Sequence, residues 1–198
     1  MNSSREFEQI RRIRSTDFIW ALAAFLGVMI LGTLQGIMVA VLLSVLALLY
    51  LAGHPPVYVV GRKPGTDVSR PLEDQPGDET FVGLLMLRME GLMFFTSAPR
   101  ALDSIIELVR EYQPEVLVLD CRAVPSFEYT ALMAFDQFDE KLSEMGVTLW
   151  LAALNRDAFE TVEKSSLWKT LGHERMFFNM QQAVDAYKEK VGIKNANR

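Results

Sequence analysis

From Phe18 to Gly53 the chain carries no Asp, Glu, Lys, Arg or His. About 20 apolar residues suffice to cross a bilayer, so this run is membrane material rather than the core of a soluble domain. As one straight helix at ~1.5 Å per residue it would reach well beyond a ~30 Å hydrocarbon core. Its centre reads Gly32-Thr33-Leu34-Gln35-Gly36, a natural place to break. The pattern predicts a membrane α-helical hairpin over 17–53, with arms at about 18–32 and 36–51. Arg5, Arg11, Arg12 and Arg14 precede the run, and Arg62, Lys63 and Arg70 follow it. Basic flanks mark the cytoplasmic side of a membrane, and a hairpin returns the chain to the side it left. A single tilted span would put the two basic flanks on opposite sides, and a signal peptide would have a shorter apolar core. Gly32, Gly36 and Ala40 recur at four-residue spacing, which lets helices approach closely. Such short arms suit packing inside a larger bundle.

The remaining residues carry all the charge. The formal net charge of −5 and the lack of a basic stripe with interleaved aromatics argue against nucleic acid as a partner. Cys121 is the only cysteine, so no disulfide forms within the chain. The two histidines, His54 and His173, lie far apart, and no CxxC or HxxxH spacing suggests a metal site.

Residues 1–16 read as a basic lead-in on the cytoplasmic side. Pro55-Pro56 stops the second membrane helix, and 54–80 reads as a linker, with a short extended segment at Val57 and a turn at Pro64-Gly65. A soluble α/β domain is expected over 81–192, followed by a tail at 193–198. Phe81–Leu87 and Gly91–Ser97 read as a strand pair. Leu102, Ile105, Ile106 and Val109 form a helical stripe after Pro99, and Pro114 ends that helix. Val116–Leu119 reads as a buried strand. Ala131, Phe135, Phe138 and Leu142 mark a helix that ends at Gly146. Val147–Leu154 is another strand. Phe159, Val162 and Leu167 mark a less regular helix, Met176–Phe178 an edge strand, and Ala183, Val184 and Tyr187 the last helix. The order β-β-α-β-α-β-α-β-α predicts a mostly parallel sheet with helices packed on it.

One stretch poses the functional question: VLVLDCRAVPSFEYTALMAFDQF, Val116–Phe138. A buried strand opens onto Asp120, and a polar loop follows at the carboxyl end of the sheet, where ligands and partners usually meet such folds. The candidate residues are Asp120, Ser126, Glu128, Tyr129 and Thr130. Asp120 and Glu128 could meet as two carboxylates, but no histidine is near in sequence and no oxyanion hole is evident. A phosphate cradle needs glycines, and this loop has none. No catalytic, cofactor-binding or metal-binding residue is therefore assigned. Read singly, Asp120 and Ser126 fit hydrogen bonding in the loop and at the helix end, and Cys121 a small loop or edge residue. His173 lies in a polar turn. Met86, Met89 and Met93 are core filler or a docking face.

This strand–loop–helix resembles the STAS domain, which anti-sigma-factor antagonists share with SulP anion transporters (solute carrier family 26). In the antagonists, a hydroxyl after the second Asp of the loop is phosphorylated. Here Asp120, Val124 and Leu132 match the family's anchors. Glu128 stands for that second Asp, Tyr129 for the Ser after it and Ala131 for the Gly; Thr130 alone keeps a Ser/Thr hydroxyl. The run Glu128-Tyr129-Thr130-Ala131-Leu132 is one change from the D-Y-T-A-L form of SulP transporters. The segments HPPVYVVGRKPGTD and LLMLRMEGLMFFTSA also look like SulP, where the last two membrane helices lead through an R-x-P-G-T linker into the STAS domain. The resemblance runs collinearly over about residues 11–190.

The resemblance implies the C-terminal portion of a sulfate-type anion permease: the last two membrane segments and a cytoplasmic regulatory or dimerisation module. The implied partners are the rest of the permease membrane domain or a second copy, a cytoplasmic STAS-binding protein, and membrane lipid. No cofactor is implied. The anion site of a full transporter lies among helices of its two inverted repeats, so no substrate residue carries over. A truncated gene, a split subunit and a fragment all fit, and a stand-alone membrane-anchored protein-binding module is the second reading.

Overall fold

The structure, a computed structural model, describes residues 32–73 and 77–196. It divides into two units, residues 1–51 and 52–198. The expected first hairpin arm and the basic lead-in lie outside the described residues, apart from Gly32. The expected second arm lies within helix α1, Thr33–Ala52. Gly32 precedes it at φ +88°, a left-handed conformation that suits glycine, and its carbonyl accepts from Gly36 N at 2.9 Å. Leu34–Ala52 has a mean hydropathy of 2.4 and is long and apolar enough to cross a membrane. At ~1.5 Å per residue such a helix reaches ~30 Å, the thickness of a hydrocarbon core. Among the described residues it is the one such helix; the hairpin itself is not observed.

The second unit is a six-stranded mixed sheet with helices on both faces. Its strands are β1 (Val57–Arg62), β2 (Ser69–Pro71), β3 (Leu84–Glu90), β4 (Val116–Ala123), β5 (Thr148–Ala152) and β6 (Met176–Phe177). Its helices are α2 (Ser97–Tyr112), α3 (Tyr129–Glu144), α4 (Arg156–Glu163), α5 (Ser166–Leu171) and α6 (Met180–Ala196). The sheet order is β2-β1-β3-β4-β5-β6. β3 to β6 pair in parallel, while β1 is antiparallel to both its neighbours.

Alternation along each strand sorts the core into two layers. Leu85, Leu87, Met89, Leu117, Leu119, Cys121, Leu149 and Leu151 point to the face covered by α2 to α5. Leu84, Met86, Val116, Val118 and Trp150 point to the other face, where α6 packs through Met180, Ala183, Val184 and Tyr187. A strand buried on both faces reads as an unbroken apolar run, which is why Val116–Leu119 shows no alternation in sequence. Phe135 anchors the first layer, edge-to-face with Phe127 (centroids 5.4 Å apart) and Phe138 (6.2 Å). Met86, Met89 and Met93 are all buried core residues, not a docking face.

Three expectations need correction. The antiparallel partner of β3 is β1, not Gly91–Ser97. Gly91 turns at φ +98°, and the Ser97 hydroxyl ties the loop by donating to Leu92 O (2.7 Å) and accepting from Phe94 N (3.0 Å). Those bonds curl the segment into the start of α2, whereas Val57-Tyr58-Val59-Val60 is rich in strand-forming residues. The strand expected at Phe81 begins at Leu84, because Gly83 sits at φ +79°. Second, the segment read as a linker contributes β1 and β2. It is fastened by Arg62–Glu79 (2.5 Å) and Arg70–Asp78 (2.5 Å), and by paired backbone bonds between Arg62 and Glu79. Third, α6 runs on to Ala196, into the expected tail.

Phe135→Ala should lower the stability of the second unit by about 3–5 kcal/mol, the usual cost of emptying a core phenylalanine site. Denaturant unfolding followed by tryptophan fluorescence in detergent measures it; a loss below about 1 kcal/mol would contradict this packing.

Candidate functional site

β4 is longer than its apolar run suggests. It extends to Ala123, so Asp120 and Cys121 are strand residues rather than loop residues. By alternation Asp120 points to the α6 face and Cys121 to the opposite core. Asp120 is fully buried. A lone buried carboxylate would be very costly, so its partners decide its role. In the parallel register Asp120 stands directly beside Arg88 of β3. Arg88 Nε donates to Asp120 Oδ2 at 3.0 Å, and Arg88 Nη2 donates to Ser69 O of β2 at 2.9 Å. Arg122 Nε and the Arg122 backbone N–H both donate to Asp120 Oδ1, at 3.0 and 3.2 Å. The carboxylate thus ties β4 to β3 and, through Arg88, to β2.

Burial, and secondarily the Asp120 charge, push the Cys121 thiol well above its ordinary pKa. That disfavours the thiolate, the nucleophilic form.

The loop beyond β4 is built from anchors and exposed side chains in turn. Val124 and Phe127 are buried, and Met93 forms a parallel bridge with Phe127. The Glu128 backbone N–H donates to Met93 O at 2.9 Å. Asn155, the N-cap of α4, donates through Nδ2 to Val124 O (2.8 Å) and Pro125 O (3.0 Å), while its Oδ1 accepts from Ala158 N (2.9 Å). One side chain therefore caps a helix and fixes the loop. Between the anchors, Ser126 is half-buried, and Glu128, Tyr129 and Thr130 are exposed. Glu128 is the N-cap residue of α3, with extended backbone and no side-chain cap bond. Tyr129 is 73% exposed and, with Leu132, lines a groove of about 380 Å³ whose other wall is α4, including Asp157 and Thr161.

The five candidate residues are thus not one constellation. Ser126, Glu128, Tyr129 and Thr130 share the loop and the first turn of α3. Asp120 belongs to the ion-pair network within the sheet, and no hydrogen bond between it and Glu128 occurs among the described residues. Sequence reasoning missed Arg88, Arg122 and Asn155. Arg88 had a signal: a charged residue inside an apolar strand, in register with the acid of the next. Asn155 had a weaker one, an Asn just before a helical pattern. His173 stacks edge-on against Trp168, with centroids 5.4 Å apart.

The STAS domain family profile matches residues 75–184, more than half of the chain. The chain belongs to the STAS domain family. Over 187 residues it is 29% identical to a probable sulfate transporter of Mycobacterium tuberculosis, covering 93% of this chain and 33% of that protein. Sulfate transporter 3.2 of Arabidopsis thaliana is 26% identical over 181 residues, covering 86% of this chain and 28% of that protein. The chain thus spans about a third of the curated relatives' length. Among solved structures, the murine Solute Carrier 26 family member A9 anion transporter superposes with a TM-score of 0.79 at 14% identity, over 92% of this chain and 30% of that one. A sulfate transporter family protein from Wolinella succinogenes superposes at 0.53 with 24% identity, over 62% of this chain and 99% of that one. The shared fold runs from the apolar helix into the STAS domain.

Two outcomes separate scaffold from surface. Asp120→Ala, which strands the half-buried Arg88 without its carboxylate, should cost about 3–5 kcal/mol, whereas Thr130→Ala should change stability by under ~0.5 kcal/mol. Parallel thermal melts test both; equal effects would contradict the division. Cys121 should resist maleimide at mildly alkaline pH in the native chain and react fully once the chain is unfolded. Native labelling at the rate of the unfolded chain would show that Cys121 is not buried.

Proposed function

We propose that this chain is the C-terminal part of a SulP-type secondary anion transporter, sulfate-like in substrate, whose STAS domain is a cytoplasmic regulatory and dimerisation module. The observation that carries this is collinearity. An apolar helix of membrane length, a four-residue connection and a STAS sheet follow one another here, and the two sulfate transporter relatives align along 93% and 86% of the chain. The expected hairpin over 17–53, with its basic flanks, puts the domain on the cytoplasmic side. The anion path itself would lie in the other membrane segments of such a transporter, so the contribution of this chain is support and control.

The control surface in this reading is Ser126, Glu128, Tyr129 and Thr130. Buried anchors, Val124 and Phe127 before and Ala131 and Leu132 after, present these side chains to a partner. Thr130 is the hydroxyl available to a kinase, in the first turn of α3, where the helix dipole favours added negative charge. The second reading is a membrane-anchored module that binds a cytoplasmic partner and moves no anion; exposed Tyr129 beside its groove is the feature that favours it.

The test is uptake of radiolabelled sulfate by cells deficient in it, expressing the native gene product that contains this chain. Uptake should rise, and Tyr129→Ala or Thr130→Glu should alter it at unchanged membrane abundance. Normal abundance with no uptake of sulfate or related anions would overturn the transporter reading and leave the anchored module.

A further inference from the structure

The contact between α3 and α5 holds a polar pair that the loop beyond β4 does not use. Asp136 and Asp139 stand three residues apart on α3, a spacing that puts both on one face. Asp136 meets α5, where its Oδ2 accepts from the Ser166 hydroxyl. Asp139 meets the turn after α5, His173–Arg175, where Arg175 Nη1 lies 3.7 Å from its Oδ1. That separation makes an ion pair but is too long for a hydrogen bond. The Asp139 side chain is only 9% exposed.

The two carboxylates share one anomaly. Asp136 Oδ1 and Asp139 Oδ1 are buried and accept no hydrogen bond, and they are the only such side-chain atoms among the described residues. Buried acceptors without donors are costly. Asp120 shows the ordinary solution, with both of its oxygens accepting from arginines. A proton supplies the missing donor here: one carboxyl carries it and the other accepts. Two neighbouring carboxylates also ionise together only at a cost. The charged groups felt at Asp139 are Arg175, Asp136 and Glu140. Burial, the largest influence, pushes its carboxyl above the usual carboxylate range; Arg175 pulls it down, and Asp136 and Glu140 push it up. Lys169, the charged residue of α5, is exposed. In the turn, His173 stacks on Trp168 and the Glu174 carboxylate folds over Gly172. α2 meets another flank of α3, where Asp103 and Lys141 line a shared groove.

We propose that Asp136 and Asp139 together bind one proton in the folded chain, and that this proton fastens α5 to α3. Lys164 and Ser165, just before Ser166, line the groove beside Tyr129. The proton therefore sets how firmly that wall of the groove is held. The site stands whether or not the chain forms part of a transporter. A carboxyl that holds its proton more tightly folded than unfolded favours folding at low pH. That contribution is lost as pH rises through its folded pKa.

The test compares the full chain with Asp139→Asn in detergent, from about pH 4 to about pH 8. Asn keeps the shape of the protonated acid and cannot ionise. The variant should match the wild type at the acid end, and its folding equilibrium constant should exceed the wild type's several-fold at the alkaline end. Over the same range, amide protection at Leu167–Leu171, corrected for intrinsic exchange, should fall several-fold in the wild type and not in the variant. A variant less stable by an equal amount at every pH overturns the proposal, because it marks Asp139 as the ionised partner of Arg175. No difference at any pH also overturns it. Protection that keeps step in the two proteins overturns the hold on α5. Infrared spectroscopy of the wild-type chain needs no variant. The carbonyl band of a protonated carboxyl should persist above the pH at which the unfolded chain has lost it. Loss at the same pH means that no proton is held, which overturns the site.

Discussion

The ion pair between Arg88 and Asp120 is the constraint on which the second unit turns. β4 is buried on both faces, and every residue from Val116 to Cys121 is closed off from water. A charge at the end of such a strand is tolerated only if the neighbouring strand supplies the opposite charge at the same level. Arg88 does so, in register, and reaches on to Ser69. A slip of one residue between β3 and β4 would turn one of the two charges toward the apolar face of α2 to α5 and leave the other without its partner. The pair therefore specifies register, and register places Met93 against Phe127 and sets the loop that follows.

That arrangement separates support from display. Three side chains hold the Val124–Thr130 segment: Val124 in the core, Phe127 against Phe135, and the Asn155 amide on two carbonyls. The side chains of Glu128, Tyr129 and Thr130 are exposed. Tyr129 and Glu128 can change without disturbing the sheet, which is how one scaffold serves different partners.

Much of this was legible in the sequence, for identifiable reasons. Buried strands show as short apolar runs, and α2 showed as a clean stripe from Leu102 to Val109, closed by Gln113 in the left-handed region ahead of Pro114. Gly146 at φ +76° after α3 was equally readable. Long-range pairing was not. Nothing local to Val57–Arg62 says that it joins β3 across more than twenty intervening residues, and the nearer Gly91–Ser97 made a simpler partner. The extent of β4 was hidden because Asp120 and Arg122 look like loop residues until Arg88 is seen beside them. The loop was recognised as the place of interest, yet its division into anchors and exposed residues came only with the register.

The proposed function makes this STAS domain the cytoplasmic part of a larger membrane transporter. The most direct measurement is the size of the native species in membranes of the source cell, by immunoblot with an antibody against the second unit, under both mild-detergent and denaturing conditions. The account predicts a native species well above the 22.4 kDa of this chain, containing further membrane segments, covalently joined or as a separate subunit. A species of this chain alone, embedded in the membrane with no companion, would contradict it.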